Sequence, residues 1–384
     1  MELTLFVEHQ CNLRCTYCYN GSKFKATMPW EVAEKAIRTA LSRSPGPVFD
    51  LSFFGGEPLL RLGLVRRSVE LAASLLPSFA PRPKLRVLMN TNGTLLDNDA
   101  IALLAPNPLW QSTVFVSLDG PRDVHDKHRV RVDGKGSYDD VVRGMRRSLD
   151  AGISTVVMAV VGTKTAERMG ESLELFLSLG VSNVLFNLDY HDDWDEASIE
   201  KLKAGLRAAG EVTMAAFRKG AAPLVDPLHT KILSHMTGGL PCAGRCTLDT
   251  EVAVAPSGRL YPCGQMIGED RSDQLVIGHV DTWIDRDRVA KLQKAKNKVE
   301  DTCAPCALRE RCQSHCGCRH VALTGELGRI DAVLCETETA VIQEADRVAQ
   351  ILHEEQCPAF LRQYYQRTWK SAPGAVLMPL RLRK

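Results

Sequence analysis

No stretch of 18 apolar residues occurs anywhere in the 384-residue chain, so no membrane-spanning helix is expected. The N-terminus has no basic segment followed by a long apolar one. Met1-Glu2-Leu3-Thr4-Leu5-Phe6-Val7 reads as a strand, and an export signal is not expected. Charge of one sign is lacking too: the formal net charge is +2, which offers no electrostatic footprint for nucleic acid or an anionic membrane. Arg381, Arg383 and Lys384 make the C-terminus basic, but the group is short and reads as a solvated tail. Internal repeats and low-complexity tracts are missing. Cysteine, by contrast, is plentiful: 13 residues, an odd number. Without an export signal they do not read as a disulfide framework. A cytoplasmic chain rich in cysteine is expected to bind metal or do redox work. The 45% hydrophobic and 24% charged composition suits a globular protein with room for one large and one smaller domain.

Apolar runs alternate with helical patterns over the first half of the chain. Strands are expected over 3–7, 48–54, 85–91, 113–118, 155–161 and 183–188. Between them lie amphipathic stretches, such as Val32, Ala33, Ala36, Ile37 and Leu41, and later Tyr138, Val141, Val142, Met145 and Leu149. Six strand–helix repeats imply a parallel α/β sheet and are two short of a closed eight-fold barrel, so a partial (β/α)6 TIM-like barrel is expected over 1–195. Residues 196–241 read as a linking helix and loop, loosened by Pro223, Pro227 and Gly238-Gly239. Nine cysteines fall between Cys242 and Cys335 amid short strands, glycine and proline. Such a stretch cannot build a large apolar core, so bound metal is the expected organiser of a small α+β domain over 242–340. A terminal helix is expected over 336–370, within a C-terminal helix and tail, 341–384.

Cys11-x3-Cys15-x2-Cys18 follows the first strand. Three thiolates on one tight loop suit three corners of a cubane 4Fe–4S cluster. The fourth iron then has no protein ligand, and an open metal position is where a small molecule can coordinate. A structural zinc site is the rival reading; it needs four ligands, and the loop offers three cysteines plus His9. The loop lies at the C-terminal end of a barrel strand, where barrel chemistry sits. The next strand ends carry Gly55-Gly56-Glu57-Pro58, Thr91-Asn92-Gly93 and Ser117-Leu118-Asp119-Gly120. Their glycines permit close approach of a ligand to the backbone, and their polar groups suit an amino acid and a ribose.

Cys11-Asn12-Leu13-Arg14-Cys15-Thr16-Tyr17-Cys18-Tyr19 and Phe54-Gly55-Gly56-Glu57-Pro58 resemble the CxxxCxxC and GGEP motifs of the radical SAM superfamily. The resemblance implies that S-adenosylmethionine (SAM) chelates the open iron. One-electron cleavage of its C–S bond then yields methionine and a 5′-deoxyadenosyl radical that takes a hydrogen atom from the substrate. It further implies that Gly55, Gly56 and Glu57 hold the SAM amino group. The backbone near Tyr17 packs on adenine, Ser117 contacts ribose, Arg129 pairs with the SAM carboxylate, and Val184 touches adenine.

Cys246-x11-Gly258-x4-Cys263, Cys303-x2-Cys306-x5-Cys312-x3-Cys316 and Cys335 resemble the SPASM extension, whose members carry auxiliary 4Fe–4S clusters. With Cys242 added, the resemblance implies one cluster on Cys242, Cys246, Cys263 and Cys316. A second falls to Cys303, Cys306, Cys312 and Cys335. Three clusters then use 11 of the 13 cysteines. Cys318 stands as an alternative to Cys316, and Cys357 reads as a buried thiol. Were Cys242 not a ligand, the first auxiliary cluster would have an open site.

SPASM enzymes resemble peptide and protein maturases. The expected activity is hydrogen abstraction from a peptide or protein, completed as a thioether or carbon–carbon crosslink while auxiliary clusters relay an electron. Formylglycine maturation of a sulfatase is an alternative; that kind carries an acidic residue after the cysteine matching Cys263, where this chain has Gly264. A small porphyrin- or sugar-derived substrate is another, and a non-catalytic electron carrier a third. Since the cluster loop starts at residue 11, a leader peptide is expected to be held by a separate protein, if at all. An electron donor such as flavodoxin or ferredoxin is expected. Asp189, His191, Asp192, His125 and His128 are candidates for proton handling, with solvated loop positions as the plainer reading.

Overall fold

The computed structural model describes residues 2–43, 46–240, 246, 248–249, 251–298 and 303–366. In chain order its strands are β1 (Glu2–Glu8), β2 (Leu13–Cys15), β3 (Val48–Gly55), β4 (Lys84–Thr91), β5 (Gln111–Ser117), β6 (Arg129–Arg131), β7 (Ser154–Val161), β8 (Asn183–Leu188), β9 (Leu224–Asp226), β10 (Glu251–Val254), β11 (Arg259–Tyr261), β12 (Gly278–His279) and β13 (Trp283–Ile284). The helices are α1 (Trp30–Arg43), α2 (Leu62–Leu75), α3 (Asn98–Leu104), α4 (Arg122–His128), α5 (Tyr138–Asp150), α6 (Met169–Ser178), α7 (Glu196–Arg218), α8 (Leu228–Met236), α9 (Arg286–Lys296), α10 (Gly317–Thr324), α11 (Ala332–Glu354) and α12 (Pro358–Leu361). All six strands expected from the alternation are present, as β1, β3, β4, β5, β7 and β8.

Contacts divide the chain into two units. The first comprises Met1–Leu118, Arg122–Val157 and Thr247–Lys294. Its strands run β10-β1-β3-β4-β5, each adjacent pair parallel. The register lays Val254, Leu5, Phe53, Met89 and Val114 side by side on one rung, all fully buried. Each such side chain contributes about 1.5–3 kcal/mol through burial. Near-continuous apolar strands are what a parallel sheet covered on both faces requires. Helix α1 supplies part of the cover with Ala33, Ala36, Ile37, Ala40 and Leu41, a stripe at helical spacing. The same register brings the strand C-termini level: Glu8 faces Gly55, and Thr91 faces Val116. Beyond them β2 and β6 form a separate antiparallel pair, with Cys15 opposite Arg129.

The second unit comprises Asp119–Pro121, Met158–Cys246 and Ala295–Lys384. In it β8 and β9 pair in parallel, Val184 opposite Val225, both buried. Helices α7, α8 and α11 pack around Met214, Phe217, Leu228, Ile232, Ala345, Val348 and Leu352. Cys357 lies in this apolar cluster, buried as expected. The Asp195 side chain caps α7 in a reciprocal bond with Ser198.

Two features depart from the sequence reading. Strand β10 joins β1 as a parallel neighbour, a long-range pairing that a four-residue run does not announce. The terminal helix runs from Ala332 to Glu354 and then breaks, where Gln356 adopts a positive φ of 51° and Pro358 follows. Cys242, Arg381, Arg383 and Lys384 lie outside the described residues.

Candidate functional site

Strand β1 ends at Glu8, a fully buried carboxylate that shapes the loop after it. It accepts hydrogen bonds from the backbone N–H of Gln10 (3.0 Å) and Ala26 (3.2 Å) and from the Thr27 hydroxyl (2.5 Å), and pairs with Arg61 Nε at 2.7 Å. These donors hold its carboxyl below the usual range despite the burial. The loop so fixed carries Cys11, Cys15 and Cys18. Cys11 is buried, the other two partly exposed.

Donors surround these sulfurs. The Leu13 N–H points at Cys11 Sγ (3.4 Å), Asn92 Nδ2 lies 3.7 Å from it, and Lys23 Nζ lies 2.8 Å from Cys18 Sγ. As a thiol, Cys11 is pushed up to about 11, first by burial and then by the nearby Glu57 carboxylate. Iron needs the thiolate, and N–H donors directed at sulfur favour that form. Among the described residues no three His, Cys, Asp or Glu side chains converge as ligands of a single metal ion. A cubane asks for a different arrangement, thiolates on separate iron corners around an inorganic core. His9 stacks on Phe24 at 4.5 Å and tilts against Phe6 at 4.6 Å. Its buried ring nitrogens have no hydrogen-bond partner.

Gly55 and Gly56 serve the loop directly. Gly55 has φ +138°, and a Cβ there would stand 2.5 Å from Glu8 O. At Gly56 it would stand 2.3 Å from Gln10 O and 2.6 Å from His9 O. Only glycine lets the β3 end press against the cysteine loop, where Gly56 N–H donates to Glu8 O and Glu57 N–H to Gln10 O. The Glu57 carboxylate is fully buried. It accepts from Leu59 N (3.0 Å), Thr91 Oγ1 (2.8 Å) and Asn92 N (2.8 Å), and burial pushes it up to about 7. Asn92 Nδ2 also donates to Asn12 Oδ1 (2.8 Å), so the ends of β3 and β4 and the cysteine loop form one hydrogen-bonded cradle.

Arg129 is buried opposite Cys15, its guanidinium 5.3 Å from the Tyr17 ring centre. Tyr17 and His128 rings lie 5.7 Å apart, and His128 Nδ1 meets the Thr16 hydroxyl at 2.8 Å. Ser117 ends β5. The structure thus brings Cys11, Cys15, Cys18, Tyr17, Gly55, Gly56, Glu57 and Arg129 into one neighbourhood of the first unit. Val184 belongs to the second unit. Of the proton-handling candidates, His125 is buried against the Ser137 hydroxyl at 3.0 Å. Asp192 is occupied by Thr163, accepting from its N–H (2.7 Å) and hydroxyl (2.9 Å).

The later cysteines divide between the units. Cys263 lies in the first, just past β11; Cys246, Cys303, Cys306, Cys312, Cys316, Cys318 and Cys335 lie in the second. The Cys335 thiol is pushed up by burial and then by nearby Cys303 and Cys306, so these three sulfurs share one locality. Burial and Glu338 push Cys312 up to about 12. Cys316 and Cys318 Sγ stand 3.1 Å apart. The sequence reading missed Glu8, Lys23, Asn92, Lys231 and Glu338. Asn92 sat within a flagged motif; the other four are single charges with no local pattern to mark them.

A family model of the radical SAM superfamily matches residues 7–176. The serine-type anaerobic sulfatase-maturating enzyme of Bacteroides thetaiotaomicron is 32% identical over 165 residues, 41% of this chain and 38% of that protein. The chain thus spans well under two-thirds of that relative's length. The PqqA peptide cyclase of Gluconobacter oxydans is 25% identical over 377 residues, 95% of this chain and 98% of that one. The solved structure of native anSMEcpe with bound AdoMet and Kp18Cys peptide shares the fold, with TM-score 0.75 at 20% identity, over 92% of this chain and 99% of that one. The cysteine loop and the glycine-rich strand end both lie inside the matched stretch, so residues 7–176 carry a radical SAM domain.

Proposed function

We propose that this chain is a radical SAM maturase of the SPASM type that oxidatively modifies a peptide or protein, forming a thioether or carbon–carbon crosslink. The observation that carries the proposal is the cradle around Cys11, Cys15 and Cys18, three thiols on one loop fixed by the ends of β1, β3 and β4. Bound there, a reduced 4Fe–4S cluster and SAM would supply a 5′-deoxyadenosyl radical able to take a substrate hydrogen atom.

The chain's own residues have separable tasks. Cys11, Cys15 and Cys18 would hold the cluster that supplies the electron for SAM cleavage. Leu13 N–H, Asn92 and Lys23 stabilise the thiolates. Gly55, Gly56 and Glu57 take the SAM amino group and Arg129 its carboxylate. Tyr17 and Val184 border adenine, and Ser117 meets ribose. In the second unit Cys303, Cys306, Cys312 and Cys335 hold one auxiliary cluster. Cys242, Cys246, Cys263 and Cys316 hold the other. Clusters bound by these cysteines would supply an acceptor for the electron lost in the oxidation. The proposed boundaries are 1–195 for the SAM domain, 196–241 for the link, 242–340 for the auxiliary-cluster domain and 341–384 for the C-terminal segment. A flavodoxin or ferredoxin serves as electron donor, in the cytoplasm.

Crosslinking is favoured over formylglycine formation because Gly264 offers no carboxylate after Cys263. The peptide class rests on the full-length likeness to a relative named a peptide cyclase. The test is anaerobic reconstitution with iron, sulfide, SAM and a strong reductant, followed by mass spectrometry of a co-expressed candidate peptide. Formation of 5′-deoxyadenosine together with a peptide lighter by two hydrogens is expected. Absence of 5′-deoxyadenosine from iron-loaded protein would overturn the proposal.

A further inference from the structure

Lys231 on α8 is fully buried, and its ammonium lies 2.6 Å from the carboxylate of Glu338, on α11 and also buried. A charge pair withdrawn from water rarely repays its desolvation through mutual attraction alone. What sets this pair apart is where its remaining bonds go. Lys231 Nζ donates to the backbone carbonyl of Arg311 at 2.7 Å. Glu338 Oε2 accepts the backbone N–H of Gln313 at 2.8 Å. These are the residues immediately before and after Cys312, so one ion pair grips the chain on both sides of a single cysteine.

The grip extends to the other cysteine-bearing segments. Glu338 Oε1 accepts from Arg319 at 2.6 Å, one residue beyond Cys318, and Arg319 lies over the Tyr190 ring at 5.1 Å. Arg311 forms a fork on Asp346 (2.6 and 2.8 Å) and donates to Lys231 O at 3.0 Å. Glu338 itself stands one helical turn after Cys335 on α11. One carboxylate thus ties together the loop of Cys312, the start of α10 beside Cys316 and Cys318, and the helix carrying Cys335. Every bond in this hub joins protein atoms to protein atoms.

We propose that Lys231 and Glu338 are positioning residues for the auxiliary cluster held by Cys312 and Cys335, fixing both ligands and setting the charge beside that cluster. The inference rests on the auxiliary-cluster reading above and deepens it. Three cations, Lys231, Arg311 and Arg319, face two anions, Glu338 and Asp346. The surplus positive charge favours the reduced cluster and raises its potential, which suits a site that accepts an electron from a substrate radical.

The experiment compares wild type, Lys231→Met, Glu338→Gln and Glu338→Leu after identical anaerobic reconstitution. It reads iron and sulfide per chain, and the midpoint potential of each cluster by EPR redox titration. Wild type is expected to bind about twelve irons, three cubanes' worth. Glu338→Gln keeps an acceptor for Gln313 N–H, so it retains the iron, and the loss of a negative charge moves one auxiliary potential upward. Lys231→Met moves the same potential downward. Shifts of opposite sign separate placed charge from general loosening, which would move both variants alike. Glu338→Leu, of similar size but with no acceptor, loses about four irons. The double variant Lys231→Met with Glu338→Leu removes the unpaired charge and guards against simple misfolding; it too loses that cluster while keeping its helical circular dichroism. Full iron in Glu338→Leu and the double variant, or unshifted or same-sign potentials in the single variants, overturns the proposal alone. Wild type saturating at four irons overturns it together with the auxiliary-cluster reading.

Discussion

At the scale of single residues, close approach and burial of charge carry the argument. Gly56 shows the first. A methyl group at this position would meet two backbone carbonyls of the cysteine loop rather than a side chain that can turn away. Gly56→Ala should cost about 1–3 kcal/mol by overpacking and reduce iron bound by the N-terminal cysteines, measured by chemical denaturation and iron analysis; a variant with wild-type stability and iron content would refute the packing role. Glu2 shows the second. Its carboxyl lies beside Asp50 and Glu251 on the neighbouring strands. Burial, then Glu251, then Asp50 push it up to about 7, against 4.5 ordinarily, with Arg86 opposing. The folded chain therefore holds this proton more tightly than the unfolded one. The resulting stability is complete below about pH 4.5 and fades as pH rises towards 7, as the buried carboxyl is forced to ionise. Glu2→Gln should flatten that part of the stability profile and raise stability at pH 8 by about 2 kcal/mol, in denaturant titrations across pH. An unchanged profile would show that Glu2 titrates as it does in the unfolded chain.

At the scale of elements, the sequence was most legible where one element answers to one periodicity. All six barrel-type strands were found because parallel strands buried on both faces are short apolar runs, and each is followed by a turn signal such as Gly55-Gly56 or Asn92-Gly93. Helix α7 was equally plain, with an apolar stripe and Asp195 at its start. Replacing Asp195 with Ala removes the acceptor of the Ser198 N–H and leaves the bond from its own backbone N–H to Ser198 Oγ; a loss of about 1 kcal/mol is expected, seen as a Tm lower by about 2–4 °C. What stayed hidden depended on distant partners. Strand β10 was readable as a short strand, but its pairing with β1, roughly 250 positions earlier, was not. The β2–β6 pair is three residues deep, too short for any alternation to register. The candidate site divides the same way. Its cysteines, glycines and Arg129 were readable from spacing and resemblance, whereas Lys23 and Glu8 were not. A lone lysine in a loop and a lone glutamate after a strand look like ordinary surface charge until the fold places one beside a sulfur and buries the other.

At the scale of the whole molecule, the two groups of cysteines are proposed to do different work, and that difference can be measured. The N-terminal loop is one hydrogen-bonded body with the ends of β3 and β4, so losing a thiolate there removes the place where SAM would be reduced. The cysteines of the second unit are organised by their own buried contacts around Glu338 and Lys231. Disturbing them leaves the N-terminal cradle intact and strikes at the later electron transfer. Cys15→Ala should therefore abolish 5′-deoxyadenosine formation altogether. Cys312→Ala should still form 5′-deoxyadenosine and methionine but fail to release oxidised product, because the substrate radical has no acceptor for its electron and is quenched instead. Quantifying 5′-deoxyadenosine and modified peptide in the same single-turnover reaction separates the two outcomes: the ratio of product to cleaved SAM falls towards zero in Cys312→Ala, while in Cys15→Ala neither species forms. If Cys312→Ala keeps the wild-type ratio, the electron leaves by another route, and the second unit serves the structure of the enzyme rather than its oxidation step.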